Sequence, residues 1–272
     1  MSKQGNALMD ALKNIFNVSV IVISYIVCHI LFHTVMGNPV NFEGGNPAGH
    51  PLPGNYLGIV YKGGFVIPFL FTCILVVVIF MIERFITLSR VKGKGRLNSF
   101  VYNLKQLLAE DKIEDAIKAC DKQRGSLANV MKAGLLRYRD LQKDSELTKD
   151  QKIQSIQKAY DEATALELPV FQKNMVIFAT LAPGAVLIGL IGTVLGMIRA
   201  FAALATAGAP DALALSQGIS EALINTALGI TGSCFALFLY NYFSTSIDEY
   251  TFRIDEAGFS LTQNFAASLK KS

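Results

Sequence analysis

FVIPFLFTCILVVVIFMIERFITL, residues 65–88, decides the fold of this chain. Its first eighteen positions carry no charge, and CILVVVIFMI at its centre is apolar throughout. About 20 consecutive apolar residues are what one helical crossing of a bilayer requires. Three further stretches have the same character. Phe16 to Met36 has no charge but contains Ser24, His29 and His33. A stretch from Met175 to about Ala207 is rich in Gly and Ala and contains Pro183, and one from about Ile219 to Phe243 has a similar texture. The first stretch follows Lys3 and Lys13 as a signal peptide would, yet its polar lead-in is long and no A-x-A site follows, so it reads as a retained anchor. Composition agrees with four spans: 51% hydrophobic and 17% charged residues both depart from the soluble average in the same direction. The 272 residues leave room for one small extramembrane domain and not for two large ones.

Charge along the chain sets the expected orientation. Residues 89–173 hold seventeen Lys and Arg, whereas 37–64 holds Lys62 alone and 206–217 holds none. Arg90, Lys92, Lys94 and Arg96 lie directly against the end of the second span, where the positive-inside bias is strongest. Both termini are therefore expected in the cytoplasm. The expected layout is an N-terminal tail and span (1–36), a Gly/Pro/Asn-rich far-side loop (37–64), a second span (65–88), a helical cytoplasmic domain (89–174), two spans read as pore-lining (175–243) and a charged cytoplasmic helix (244–272).

Within 89–174 apolar residues recur at helical spacing: Leu97, Val101, Leu104, Leu107 and Leu108, then Leu127, Val130, Met131, Leu135 and Leu136. Thr148 to Gln151 has the capping-box pattern that starts a third helix, with Ile153, Ile156, Tyr160 and Ala163 on one stripe. Pro169 is expected to kink or break that helix. Twelve acidic residues accompany the seventeen basic ones, as on a solvated helical surface, and nucleic-acid binding has no motif support.

Function classes narrow quickly. No P-loop, dinucleotide-binding glycine pattern or nucleophile elbow is present, and no Ser/His or carboxylate pair is grouped in the spans, so an enzyme is not expected. Cys28, Cys73, Cys120 and Cys234 form no CxxC or Cys/His cluster, so neither a disulfide framework nor a metal site is indicated, and no cofactor is expected. His29 and His33 stand at metal-compatible i, i+4 spacing, but without a third ligand a buried hydrogen-bonded role is the stronger reading.

The last two spans carry the informative residues. Gly189, Gly192 and Gly196 share one face of the third span; Ala222, Thr226, Gly229 and Ser233 share one face of the fourth. Such small residues let helix backbones approach closely in lipid. Thr193, Asn225 and Thr226 are polar at mid-span, where they either back-bond to their own helix or line a wet path or partner face. Arg199 lies about 9 Å beyond Thr193, and Glu221 about 7.5 Å from Thr226 on the oppositely directed helix, at 1.5 Å per residue. If the threonines are level, the charges are too. Pairing is the economical reading, with Glu221 as an ion ligand the alternative.

APGAVLIGLIGTVLGMIRAF (182–201), GISEALINTALGI (218–230) and YNYF (240–243) resemble the ExbB/TolQ branch of the ExbB/TolQ/MotA proton-channel family, with weaker support from Glu83-Arg84 and Ala119-Cys120. The resemblance covers roughly residues 60–265. It implies an all-α membrane bundle forming a homo-oligomer, a pentamer whose central pore is lined by the last two spans, in the bacterial inner membrane. A dimer of a single-span ExbD- or TolR-like partner would thread that pore and supply a protonatable Asp. Proton flow would drive a TonB- or TolA-like protein in outer-membrane transport or envelope maintenance. By motif match Thr193 and Thr226 correspond to the pore threonines that face the partner's Asp, and Glu221 to the family's span glutamate. The commonest ExbB/TolQ layout has three spans, and the added N-terminal span gives this chain the flagellar MotA layout instead. A non-conducting membrane scaffold and a MotA-like stator subunit are the alternative functions. Lipid would surround the assembly and could be bound by it.

Overall fold

Among the described residues of the computed structural model, four helices are long and apolar enough to cross a membrane, as the hydropathy of the chain demands. Residues 2–142, 147–205 and 211–271 are described; the side chains of 2–16 and 268–271 are not part of that description. The described residues form helices α1 (Ser2–Leu31), α2 (Tyr56–Tyr61), α3 (Ile67–Lys92), α4 (Leu97–Ala109), α5 (Ile113–Gln123), α6 (Ser126–Gln142), α7 (Lys149–Gln172), α8 (Met175–Ala205) and α9 (Ala212–Lys271), and no strand. The fold is thus an all-α membrane bundle. Its contacts fall into two units, residues 1–81 with 176–240 and residues 82–175 with 241–272.

The first unit holds α1, the loop after it, the first part of α3, and the apolar parts of α8 and α9. The apolar span of α1, Asn17–Met36, matches the expected Phe16 to Met36, while the helix itself begins at Ser2 and ends in a π-helical turn, Phe32–Met36, closed by the Gly37 N–H donating to the Phe32 carbonyl at 2.9 Å. Phe32, Val66, Ile67 and Leu70 form the buried centre here, with Met36, Tyr61, Ile188 and Ile224 packed around it. The loop 37–64 has no hydrophobic period, and asparagines organise it instead. Asn41 Nδ2 donates to the carbonyls of Val35 (2.8 Å) and Met36 (2.9 Å), tying the loop to the end of α1. Asn55 Nδ2 donates to Asn41 Oδ1 (3.0 Å), while Asn55 Oδ1 caps α2 by accepting from Leu57 and Gly58 N–H. Lys62 Nζ donates to the carbonyls of Pro47 and Ala48, and burial lowers its pKa from the usual lysine range.

The expectation of buried, hydrogen-bonded His29 and His33 is corrected. Both are exposed in the single chain, and their contacts are ring to ring. The i, i+4 stripe that carries them runs along the exposed edge of the buried face of α1 that holds Ser24, Cys28 and Phe32, with His33 edge-on to Phe32.

The second unit is an assembly of amphipathic helices around large side chains. Neighbours α4 and α5, α5 and α6, and α6 and α7 pack in sequence order. Leu104, Ala116, Met131, Leu135, Ile156, Phe171, Leu261 and Phe265 are all nearly or fully buried. The far part of α9 contributes Ile254, Ala257, Leu261 and Phe265 at helical spacing, so that Tyr138 stacks edge-on against Phe265 and Tyr160 donates its hydroxyl to the Ile254 carbonyl. The charged helix expected at 244–272 is therefore the continuation of α9, which runs unbroken for 60 residues.

Two expectations about this unit change. Helix α5 is additional to the three helices read from periodicity; its buried Ile113, Ala116, Ile117 and Cys120 lie at i, i+3, i+4 and i+7. Asp111 and Arg124, both with φ 56°, bound it in left-handed turns. The capping box at Thr148 is present, but α7 runs through Pro169 and ends at Gln172. The chain turns at Lys173 (ψ 136°) and Asn174 (φ 60°) instead, since Asn tolerates a left-handed conformation at low cost. The end of the third span near Ala207 lies outside the described residues, as does 206–210 between α8 and α9.

Arg84 is fully buried at this turn. Its Nε and Nη2 donate to the Glu83 carboxylate (2.8 and 2.9 Å) and its Nη1 to the Phe171 carbonyl (3.1 Å). Glu83 also accepts from Thr87 (2.9 Å) and Asn174 (3.2 Å), so the whole charge pair is satisfied by hydrogen bonds.

Candidate functional site

Glycine brings α8 and α9 together. A Cβ on Gly189 would lie 2.8 Å from the Asn225 carbonyl and 3.1 Å from Gly229 Cα. One on Gly229 would lie 2.8 Å from the Ala185 carbonyl, and one on Gly196 2.7 Å from the Gly218 carbonyl. Backbone meets backbone along the crossing, with no room for a methyl group. The glycine face of α8 thus packs on the small-residue face of α9 in the same chain. Ala222 is 2% exposed within it.

This approach places Thr193 and Thr226 in hydroxyl-to-hydroxyl contact. Each also bonds backward within its own helix, Thr193 Oγ1 to the Gly189 carbonyl and Thr226 Oγ1 to the Ala222 carbonyl, both at 3.1 Å. Thr193 reaches the Ala222 carbonyl as well, at 3.3 Å. Back-bonding and pairing are therefore combined at one level of the bundle. Both side chains are half-buried.

Toward the Ala205 end of α8, Arg199 and Glu221 form an ion pair within the chain. Arg199 Nη1 donates to both carboxylate oxygens of Glu221, at 2.5 and 2.6 Å. The pair is asymmetric: the Glu221 side chain is 7% exposed and that of Arg199 51%. Removing Arg199 alone would leave the buried Glu221 carboxylate without its counter-ion, a costlier change than removing both residues.

Asn225 stands one helical turn from Glu221 and is fully buried. Its Nδ2 donates to the Gly63 carbonyl at 2.9 Å, and its Oδ1 has no partner among the described residues. It faces the entrance of α3, whereas the adjacent Thr226 faces Thr193. Ser233, two turns further along α9, is half-buried and forms no hydrogen bond among the described residues. Hence the geometry joins Thr193 to Thr226 and Arg199 to Glu221, and sets Asn225 and Ser233 apart from both.

Sequence reasoning passed over Gly63 and Gly64. Gly64 has φ +77°, and a Cβ there would meet the Glu221 carboxylate at 2.5 Å. Together with Asn225 on Gly63, this makes the Gly-Gly pair before α3 the wall of the ion pair. A glycine pair ahead of an apolar run was the available signal, but it reads locally as a turn. Among the described residues no group of three or more His, Cys, Asp or Glu side chains is placed to hold a metal.

Residues 122–256 match the MotA/TolQ/ExbB proton channel family, a stretch inside the one that carries the resemblance and containing every residue of the α8/α9 site. Among curated proteins, the biopolymer transport protein ExbB of Helicobacter pylori is 39% identical over 84 residues, 31% of this chain and 57% of that protein. ExbB of Pseudomonas putida is 35% identical over 81 residues, 30% of this chain and 25% of that protein. The Tol-Pal system protein TolQ of Pseudomonas aeruginosa is 29% identical over 115 residues, 42% and 50% of the two chains. The matched segments thus span between 25 and 57% of these relatives' own lengths.

Proposed function

The chain is, over residues 122–256, an ExbB/TolQ-like protein of the MotA/TolQ/ExbB proton channel family, and from that premise we propose that it is the ring subunit of a proton-driven motor in the bacterial inner membrane. Five copies would surround a pore lined by α8 and α9, with both termini in the cytoplasm. A dimer of a single-span, ExbD- or TolR-like partner would occupy the pore and supply the protonatable carboxylate. Proton passage would turn or shift that partner against the ring, and a TonB- or TolA-like protein would carry the motion to the outer membrane.

The observation that carries this reading is the Thr193–Thr226 hydroxyl contact at mid-span. Hydroxyls both donate and accept, so a pair of them can pass a proton along or solvate a carboxylate that exchanges one. Glu221, the carboxylate nearest this pair in sequence register, is engaged through both of its oxygens by Arg199. A chain with pore hydroxyls and a neutralised carboxylate fits a mechanism whose proton carrier comes from a partner. Asn225 and Ser233, expected on the same path, serve in this reading as a strut to Gly63 and as a second polar site two turns along.

The test is proton flux into liposomes holding this chain and a co-expressed single-span partner. Thr193→Val with Thr226→Val should abolish flux while leaving the complex and its subunit ratio intact. Flux equal to that of the unmodified chain sinks the motor reading. That result would favour a scaffold, for which the internal satisfaction of both hydroxyls by Gly189 and Ala222 is the supporting observation.

A further inference from the structure

Between α1 and the start of α3 lies a cleft of about 440 Å³ that no part of the proposed motor uses. Its walls are Tyr25, His29, His33, Tyr61, Phe65 and Phe69. The rings hold one another in place: Phe32 stacks on Tyr61 at 4.6 Å, His33 meets His29 edge-on at 4.7 Å, and Tyr25 closes the deep end against Phe69 at 4.9 Å. His29, His33 and Tyr61 make ring contacts only; none of them hydrogen-bonds to another described residue. The π-helical turn Phe32–Met36 carries His33, and such turns recur at functional sites.

Depth decides what this cleft holds. The apolar segment of α1 ends at Met36. At 1.5 Å per residue His33 lies about 4.5 Å inside that end and His29 about 10.5 Å inside it. His33 and Tyr61 are then at the edge of the hydrocarbon, but His29 is within it, where water does not reach and an unpartnered polar group is costly. An interfacial aromatic belt accounts for Tyr61 and leaves His29 without a partner. The occupant must bring acceptors to two levels about 6 Å apart along α1, the rise of four residues, and must be apolar beyond them. A glycerophospholipid has this form: phosphodiester oxygens at one level, ester carbonyls a step deeper, then acyl chain. The exposed Ile26, Ile30, Phe65 and Phe69 beside the cleft offer the chain an apolar track.

We propose that the α1/α3 cleft is a phospholipid site in the leaflet nearest Met36, with the phosphate taking hydrogen bonds from His33 and Tyr61 and an ester carbonyl taking one from His29. The extra span would thereby be fastened to the bundle by a lipid as well as by its own packing. These residues lie outside 122–256, so the outcome is independent of proton conduction.

Native mass spectrometry of the full-length chain in a lipid-retaining detergent tests this, with dioleoylphosphatidylglycerol and dioleoylglycerol as probes. The unmodified chain should hold the phospholipid about tenfold more tightly than the phosphate-free analogue, the worth of one or two net hydrogen bonds. His29→Leu with His33→Leu should remove that preference, while His29→Gln with His33→Gln, which keeps N–H donors, should retain it. Equal binding of the two probes by the unmodified chain overturns the proposal even if the leucine variant does not fold. So does a leucine variant that keeps the preference, or a co-purifying adduct whose mass is not that of a phospholipid.

Discussion

The α8/α9 crossing and the helical segment α4–α7 solve the same problem, holding helices together, by opposite means. Along α8 and α9 the contact residues are Gly189, Gly196, Gly218, Ala222 and Gly229, and side chains are nearly absent from the seam. In α4–α7 the contact residues are Leu104, Leu108, Met131, Leu135, Tyr138 and Phe171, all nearly or fully buried. The solvent explains the difference. Burying a leucine against water gains about 1.5–3 kcal/mol, whereas lipid is as apolar as leucine and burying one there gains little. Association in lipid rests on close van der Waals approach and on interhelical hydrogen bonds, which is what Thr193–Thr226 and Arg199–Glu221 provide. Large residues on α8 such as Leu190, Ile191 and Val194 are accordingly exposed rather than internal.

This contrast can be broken most severely at Arg84, where a full charge is buried beside the apolar core of the second unit. Arg84→Ala removes a fully buried side chain, leaves the Phe171 carbonyl without its donor and the half-buried Glu83 without its counter-ion, and should cost about 3–5 kcal/mol, read as a lowered midpoint when the purified full-length chain is unfolded by denaturant. Leu135→Ala should cost about 2–5 kcal/mol by opening a cavity, whereas Leu190→Ala on the outward face of α8 should stay within about 0.5 kcal/mol. Equal losses at the two leucines would contradict the assignment of different solvents to the two regions. Gly189→Ala should cost about 1–3 kcal/mol through overpacking, visible as lower thermal stability in detergent. Ala163→Gly, on the half-buried stripe of α7, would lose only the helix-propensity difference of about 1 kcal/mol. A methyl group is thus harmful in one seam and helpful in the other.

The smallest effect is one of pH. Burial, reinforced by the charge of Asp121 and offset in part by Lys132, pushes the Cys120 thiol up from 9.0 to about 12. The unfolded thiol ionises first, so its folded-state advantage is complete below pH 9 and is lost as the pH rises toward 12. Stability should therefore fall over that window, and Cys120→Ala should flatten the fall. A thiol reagent at pH 8 should leave Cys120 unmodified in the folded chain and label it after denaturation. Labelling of the folded chain at the denatured rate would place Cys120 outside the core.

Periodicity made the amphipathic helices legible wherever their apolar faces were large. The stripes of α4, α6 and α7 stand out because Leu, Val and Met alternate with charge. Helix α5 is less visible because three of its five buried positions are the small Ala116 and Cys120 and the polar Gln123, which blur the pattern. The turn before α8 was assigned to Pro169 on local grounds. Proline removes one i→i−4 hydrogen bond, the one to the Ala165 carbonyl, and a single such loss does not end the helix, which runs on to Gln172; Asn174 provides the reversal instead. At the candidate site, the sequence placed two threonines and two charges on facing helices at compatible heights. It did not separate Asn225 from Thr226, since adjacent residues on a helix differ by about 100° in direction and only the positions of Gly63 and Thr193 show which neighbour each one meets.

By itself, the sequence determined how many helices can cross the bilayer, where the charged segment lies, and that the last two spans are built of small and polar residues. Those properties are sums over local composition, and lipid or water reads them residue by residue. Tertiary structure alone decided that Arg199 pairs with Glu221 inside one chain, that Asn225 braces Gly63, and that the asparagines of 37–64 knit a loop without any period. Each of these is a contact between residues up to 162 positions apart, and its geometry depends on how closely two backbones approach.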